Sequence, residues 1–159
     1  MEFLSDQLFN GSKIHVLAIV DAFSRLSPAI DVRQRYRGAN VIDTLERMTA
    51  VYGVSKTIRV DNGPEFISRD LDLWAWSKGV MLDFSRPGKP TDECIRRILQ
   101  RQVRAEWIKR NWFLTLDDAR SKCEAYRREY NEERPQNAIG NNTPMEFIMS
   151  IGHPSRPMI

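Results

Sequence analysis

The sequence has few of the features that mark secreted, membrane or zinc-binding proteins. Its two cysteines, Cys94 and Cys123, show no CxxC or Cys/His ligand spacing, so neither a disulfide framework nor a zinc site is predicted. No stretch approaches the roughly 20 consecutive apolar residues of a membrane span, and residues 1–20 lack the basic-then-apolar order of a signal peptide. We therefore expect a cytoplasmic protein without a membrane partner.

The chain also lacks a large net charge. The net charge of +3 at pH 7 is too small to indicate a polyanionic partner by itself. Positive charge is nevertheless concentrated in residues 96–110, which include Arg96, Arg97, Arg101, Arg104, Lys109 and Arg110. A solvated helix face explains such a cluster as well as a phosphate contact does. With 159 residues, 42% of them hydrophobic, the chain can bury one core. We predict one domain over residues 1–150 and a tail over residues 151–159.

The apolar pattern predicts an α/β fold. The strings "EFLSD", "KIHVLAIVDAF" and "SPAIDVR" are typical of strands, and Asn10-Gly11 suits a tight hairpin between the first two. A helical pattern follows Gly38, and two short strands, "TIRV" and "VMLDFS", enclose a helix that Ser68 can cap. The sequence thus predicts a mixed five-stranded sheet flanked by helices.

The remainder of the chain is predicted to be helical. One helix should begin near Asp92, and a second should begin at a capping box formed by Thr115 and Asp118. A last short helix should begin at a second capping box, Thr143 with Glu146. The apolar stripe of the second helix, which comprises Leu116, Ala119, Cys123, Tyr126 and Tyr130, is typical of a core face.

Two acids stand at predicted strand positions where chemistry is common in α/β proteins. Glu2 begins the first strand, and Asp61 ends the strand "TIRV" within the string "RVDNGPEF". Together with "FSRPGKPTD", "NWFLTLDDAR" and "YNEERPQNAIGNNTPMEF", this string resembles the integrase core of bacterial insertion-sequence transposases, which are related to retroviral integrases. The resemblance covers nearly the whole chain and implies an RNase H-like fold.

The resemblance also implies a function in DNA strand cleavage and joining. Such enzymes hold two magnesium ions with three carboxylates, usually Asp, Asp and Glu, because Mg²⁺ prefers oxygen ligands. Asp61 matches the second of these acids. Glu2 stands where the family has its first aspartate and is one methylene longer; Asp6 and Asp21 are nearby acids that do not match the motif.

The resemblance further implies that the partner is DNA. Asn62, Arg86 and Lys89 are the candidate DNA contacts, and a homo-oligomer or a mixed oligomer with an intact transposase is possible. Because the family usually carries a separate DNA-binding domain before the core, recognition of particular transposon ends is not expected from this segment alone.

The family places its third acid at position 97, and the residue there is Arg97. Residues 93–101, "ECIRRILQR", share nothing with the family's Asn-Ala-Phe-Val-Glu-Ser-Phe-Asn-Gly, although the strings on both sides agree. Permitted codons for residues 93–103, when read from the second nucleotide, spell the family motif with glutamate at position 97. We therefore hypothesise that one nucleotide was gained near codon 93 and one was lost near codon 104.

The consequences of this change leave three interpretations open. A transposase core with abolished or severely weakened strand transfer is the first, since a fixed arginine charge at position 97 opposes divalent cations. A DNA-binding or oligomerisation module without catalysis is the second. A nuclease with a reduced site made of Glu2, Asp61 and Glu93 is the third.

Overall fold

The computed structural model describes residues 1–85 and 112–152 of the chain. The strands are β1 (Glu2–Gln7), β2 (Lys13–Ile19), β3 (Ala29–Arg33), β4 (Thr57–Val60) and β5 (Met81–Phe84). The α-helices of this part of the chain are α1 (Gly38–Tyr52), α2 (Arg69–Lys78), α3 (Leu116–Glu132) and α4 (Pro144–Ser150). The predicted α/β order is therefore confirmed, whereas the helix predicted near Asp92 lies outside the described residues.

The five predicted strands form two hydrogen-bonded sheets and not one continuous sheet. Strands β1, β2 and β3 form an antiparallel sheet in that order, and β4 pairs with β5 in parallel. The Met1 nitrogen donates a hydrogen bond of 2.6 Å to the carbonyl of Arg59, which places the start of β1 beside β4. The five predicted strands are thus present, but the single hydrogen-bonded sheet that we expected is not shown as such, because local sequence pattern does not specify which strands pair.

The β1–β2 connection is a tight hairpin, as the Asn10-Gly11 pair predicts. The Gly11 N–H donates to the Leu8 carbonyl and the Leu8 N–H donates to the Ser12 carbonyl, both at 2.8 Å. Gly11 has a φ of 83°, a conformation that glycine adopts at little cost. The loop therefore has three residues between Leu8 and Ser12, with glycine at the left-handed position.

Two apolar cores lie on opposite faces of the strands. One contains Leu17, Ile19, Ile58 and Val60 together with the buried faces of α1 and α2. The other contains Leu4, Ile14, Val16 and Val32 together with the stripe of α3, in which Ala119, Cys123, Tyr126 and Tyr130 are buried. The alternation of side chains along each strand produces this division. The face covered by α3 is the one on which the candidate site is found.

Strand β2 is shorter than its apolar run predicts. The run continues to Phe23, but the strand ends at Ile19. Asp21 is 2% exposed, and its carboxylate accepts hydrogen bonds from the backbone N–H and the hydroxyl of Ser24. An aspartate that bonds to the backbone a few residues ahead stabilises a turn, which competes with continuation of the strand.

Asn131 joins helix α3 to the β2–β3 loop by two hydrogen bonds. Its side-chain oxygen accepts from the Ser27 N–H at 2.8 Å, and its side-chain nitrogen donates to the Ser27 carbonyl at 2.9 Å. Both residues are 2% exposed. The amide thus satisfies a buried backbone donor and acceptor together, much as a neighbouring strand would.

The helix starts follow the predicted caps. The Thr143 hydroxyl accepts from the Glu146 N–H, and the Glu146 carboxylate accepts from the Thr143 N–H, which confirms the capping box. Thr115 likewise accepts from the Asp118 N–H, but the Asp118 carboxylate accepts from Leu114. That helix start therefore differs by one residue from the reciprocal box that the spacing predicts.

Helices α1 and α2 meet at their starts. Ser68 caps α2 by accepting from the Leu71 N–H at 3.1 Å. A Cβ atom added at Gly38, the first residue of α1, would lie 2.3 Å from the Ser68 hydroxyl oxygen. Glycine at position 38 therefore leaves room for Ser68, and a larger residue would displace one helix start from the other.

Candidate active site

Glu2 and Asp61 lie where β1 and β4 come together. Glu2 is the first residue of β1 and is 5% exposed, and Asp61 directly follows Val60, the last residue of β4. The hydrogen bond from the Met1 nitrogen to the Arg59 carbonyl joins the two chain segments at this point. The two candidate acids are therefore brought to one place by strands that are far apart in sequence.

Alternation places both carboxylates on the same face of the strands. Glu2 shares its side of β1 with Leu4, which packs in the α3 core. Ile58 and Val60 pack in the opposite core, so Arg59 and Asp61 belong to the face that Glu2 occupies. Two carboxylates that converge on one face can contribute oxygen ligands to the same cation.

The Met1 nitrogen experiences the charges of both acids. Burial lowers the pKa of this amine to about 6, while the negative charges of Glu2 and Asp61 act in the opposite direction and the positive charge of Arg59 adds to the lowering. Both carboxylates are therefore close enough to the same atom to influence its protonation. This electrostatic relation agrees with the strand geometry.

The neighbouring acids Asp6 and Asp21 do not join this pair. Asp6 lies four residues along β1 from Glu2, a separation of about 13 Å at the usual strand rise of roughly 3.3 Å per residue. Asp21 is occupied by the turn that ends β2, where Ser24 donates two hydrogen bonds to it. The structure therefore separates the two motif acids from the two alternatives.

The described residues provide two acids of the expected three. Within residues 1–85 and 112–152 there is no group of three or more histidine, cysteine, aspartate or glutamate side chains that could hold a metal ion. Position 97 and Glu93, the candidate substitute, lie outside this part of the chain. The oxygen donors of Glu2 and Asp61 fit Mg²⁺ chemically, and a third ligand would have to come from elsewhere.

Asn62 lies next to Asp61 at the end of β4. Its side chain is exposed, and its amide nitrogen donates to the Ser85 carbonyl at 2.9 Å. Its backbone N–H donates to a carboxylate oxygen of Asp61 at 2.8 Å. Asn62 is thus hydrogen-bonded both to Asp61 and to the residue that follows β5. Its contact with DNA stays a prediction. The other candidate DNA contacts, Arg86 and Lys89, lie outside the described residues.

Two residues near the acids were missed by sequence reasoning. Arg59 belongs to the same face as Asp61 and donates from its Nε to Asp83, its partner in the β4–β5 register, at 3.2 Å. Strand alternation from Asp61 would have indicated Arg59, because the two are separated by one residue. Ser85 carried no comparable signal, because its role depends on the pairing of β4 with β5.

Comparisons with known proteins agree with this architecture. A family model described as Integrase core domain matches residues 1–90, and a second model with the same description matches residues 78–144. The 31.7 kDa protein of insertion element IS407 from Burkholderia multivorans is 37% identical over 147 residues, which make up 92% of this chain and 53% of that protein. The 39.2 kDa protein of insertion element IS476 from Xanthomonas euvesicatoria is 34% identical over 147 residues, or 92% of this chain and 42% of that protein. The chain thus spans about half the length of these relatives.

A solved structure shows the same fold. The catalytic core domain of HTLV-2 integrase, determined in complex with magnesium in a trimeric form, aligns with a TM-score of 0.64 and 17% identity, over 92% of this chain and 91% of that one. The predicted RNase H-like α/β fold is therefore confirmed. In the part of the chain that the structure describes, no helix is long and apolar enough to cross a membrane. The chain belongs to the integrase core domain family, and the relatives named above are insertion-element proteins.

Proposed function

We propose that this chain is the core of a bacterial insertion-element transposase whose DNA strand cleavage and joining is weakened or abolished by Arg97. The convergence of Glu2 and Asp61 where β1 meets β4 is the observation that carries this proposal. Asp61 matches the second acid of the family motif, Glu2 stands in the place of the first, which is an aspartate in the family, and the third position holds a cation. A site that lacks one of three carboxylates lacks both a ligand and a negative charge.

The cofactor that suits this pair is Mg²⁺. Glu2 and Asp61 would hold it through carboxylate oxygens, and when bound it would polarise the scissile phosphate and stabilise the leaving oxygen. The HTLV-2 integrase core was solved with magnesium, which supports this choice of ion. Arg97 keeps its proton at any ordinary pH, so its charge opposes divalent cations. We propose weak or absent Mg²⁺ binding in the chain with Arg97.

The partner is DNA, and Arg86 and Lys89 are the proposed contacts, whereas the side-chain nitrogen of Asn62, the third candidate, donates to the Ser85 carbonyl. Basic side chains on a loop rich in proline and glycine can approach phosphates closely. We also propose that the chain forms a homo-oligomer or a mixed oligomer with an intact transposase, in line with the trimeric form of the HTLV-2 integrase core. Because the curated relatives come from bacteria, it would act in the bacterial cytoplasm.

The nucleotide sequence of codons 89–110 tests the origin of Arg97. If a compensated frame change produced residues 93–103, the shifted reading of the natural codons spells the family motif with glutamate at position 97. Natural codons that spell no such motif in the shifted frame would disprove the hypothesis. This measurement needs no folded protein.

Restoration of the shifted frame tests the function. The chain with Arg97 should not join DNA strands in the presence of Mg²⁺, and the restored chain should join them. The matched control is the restored chain with Asp61→Asn, which keeps the side-chain volume but loses the charge. Two tight Mg²⁺ sites in a calorimetric titration of the chain with Arg97, or no strand transfer by the restored chain, would refute the proposal.

The cation at position 97 also favours a second function, a DNA-binding or oligomerisation module without catalysis. Salt-sensitive DNA binding without Mg²⁺-dependent nicking would support this alternative, since phosphate contacts release counterions. Mg²⁺-dependent nicking by the chain with Arg97 would instead support a reduced nuclease site that uses Glu93. The two assays therefore separate the three interpretations.

A further inference from the structure

The hydrogen bonds between β4 and β5 are regular until the end of β4. In this parallel pair the Met81 N–H donates to the Lys56 carbonyl at 2.9 Å, and the Ser85 N–H donates to the Val60 carbonyl at 3.0 Å. The next bond in the same register would join the backbone N–H of Asn62 to the Ser85 carbonyl, because parallel ladders advance by two residues on each strand.

The Asn62 side chain makes that bond in place of the backbone. Its amide nitrogen donates to the Ser85 carbonyl at 2.9 Å, while its backbone N–H donates to the Asp61 carboxylate at 2.8 Å. The Ser85 hydroxyl adds a second hydrogen bond to the Val60 carbonyl at 2.8 Å. The Asn62 side chain therefore makes the last hydrogen bond of the ladder, and the Asn62 backbone N–H donates to the Asp61 carboxylate instead.

We infer that Asn62 is a positioning residue for Asp61, an inference that rests on the proposed function of this site. The side-chain amide takes the ladder position, so that the backbone N–H stays available to hold the Asp61 carboxylate in one orientation. Partners of this kind fix the orientation of metal-binding carboxylates and typically affect metal affinity about 10- to 100-fold. Asn62 would act through Asp61 and would not itself touch the metal.

This role is distinct from the DNA contact predicted from the motif. A DNA contact would be measured as a loss of DNA affinity when Asn62 is removed. A positioning role would be measured as a higher metal requirement with DNA affinity unchanged. The two roles therefore predict opposite results in two measurements on the same variant.

The first experiment compares Asn62→Ala with its parent in the frame-restored chain. We expect the Mg²⁺ concentration for half-maximal strand transfer to rise about 10-fold or more, with DNA affinity by fluorescence anisotropy unchanged. Asn62→Gln, which keeps the amide one methylene farther away, should recover part of the loss. The matched control is Asn10→Ala in the β1–β2 loop, where the asparagine side chain accepts a hydrogen bond from the Ser12 N–H; it should change neither quantity. A loss of DNA affinity with an unchanged Mg²⁺ requirement would overturn the inference.

The second experiment needs neither metal nor activity. In the chain with Arg97, NMR couplings across hydrogen bonds should show no coupling between the backbone nitrogen of residue 62 and the Ser85 carbonyl carbon. In Asn62→Ala that coupling should appear, because the backbone N–H returns to the ladder. Its presence in the parent, or its absence from the variant, would overturn the inference. If the frame-restored parent shows no strand transfer, the proposed function fails and this second experiment still decides the role of Asn62.

Discussion

Replacement of Asn131 by alanine should destabilise the fold, because it removes two hydrogen bonds that join α3 to the β2–β3 loop. Asn131 bonds to both the N–H and the carbonyl of Ser27, and both residues are 2% exposed. The variant would leave the buried Ser27 N–H without its acceptor. The Ser27 carbonyl would keep a weaker hydrogen bond, donated by Arg127 at 3.3 Å.

The expected magnitude follows from these contacts. A buried donor without a partner costs about 1–3 kcal/mol, and loss of one bond from a carbonyl that keeps another costs about 0.5–1.5 kcal/mol. The free energy of unfolding should therefore fall by about 1.5–4.5 kcal/mol. Water that enters the space left by the side chain would move the result toward the lower end of this range.

Urea unfolding followed by circular dichroism at 25 °C provides the measurement. The matched control is Glu132→Ala, which truncates the next residue of the same helix at an exposed position. The control should change the free energy of unfolding by about 0.5 kcal/mol or less. If Asn131→Ala and Glu132→Ala lowered the free energy of unfolding equally, the hydrogen bonds of Asn131 would not be what holds α3 against the β2–β3 loop.

Two further predictions concern α1 and its neighbours. Burial alone would raise the pKa of Asp31, but hydrogen bonds from Arg33, Tyr36 and Arg47 hold it below its ordinary value. The ionised Asp31 therefore stabilises the fold above its unfolded pKa of about 3.9, and this contribution is lost as the pH falls through its folded pKa. When the free energy of unfolding is measured from pH 6 downward, it should fall less steeply for Asp31→Asn than for the parent. An equal fall in both proteins would contradict the prediction. Gly38→Ala should lower the free energy of unfolding by about 1–3 kcal/mol, because its Cβ would lie 2.3 Å from the Ser68 hydroxyl. Thermal melts would check this, and a variant as stable as the parent would show that the two helix starts can separate without cost.

Most of the local structure was predictable from the sequence. Strand β4 has the predicted bounds, Thr57 to Val60, because its short β-branched run ends at the turn residues Asp61 to Pro64. The stripe of α3 is buried as its spacing predicts, apart from the half-buried Leu116, with Ala119 and Tyr126 almost fully covered. Periodicity and capping act within a few residues of one another, which is why a sequence displays them.

The long-range contacts around the candidate site were harder to predict from the sequence. Asn131 and Ser27 are 104 residues apart, and Asn62 and Ser85 are 23 apart, so no local pattern indicates either contact. The division of the strands into two sheets depends in the same way on long-range pairing. The positions of Glu2 and Asp61 were proposed through a family resemblance, and strand geometry now provides a physical reason why these two acids meet.

The division into two sheets has a consequence for how this site responds to change. Glu2 belongs to the antiparallel sheet and Asp61 directly follows a strand of the parallel pair, so the distance between the acids depends on how the two sheets meet. A substitution beneath the junction, for example at Phe3, whose ring packs at 4.7 Å from that of Phe66, could alter the spacing of the acids while every strand keeps its register. Circular dichroism would then report intact secondary structure in a protein whose two proposed metal-binding acids have the wrong spacing.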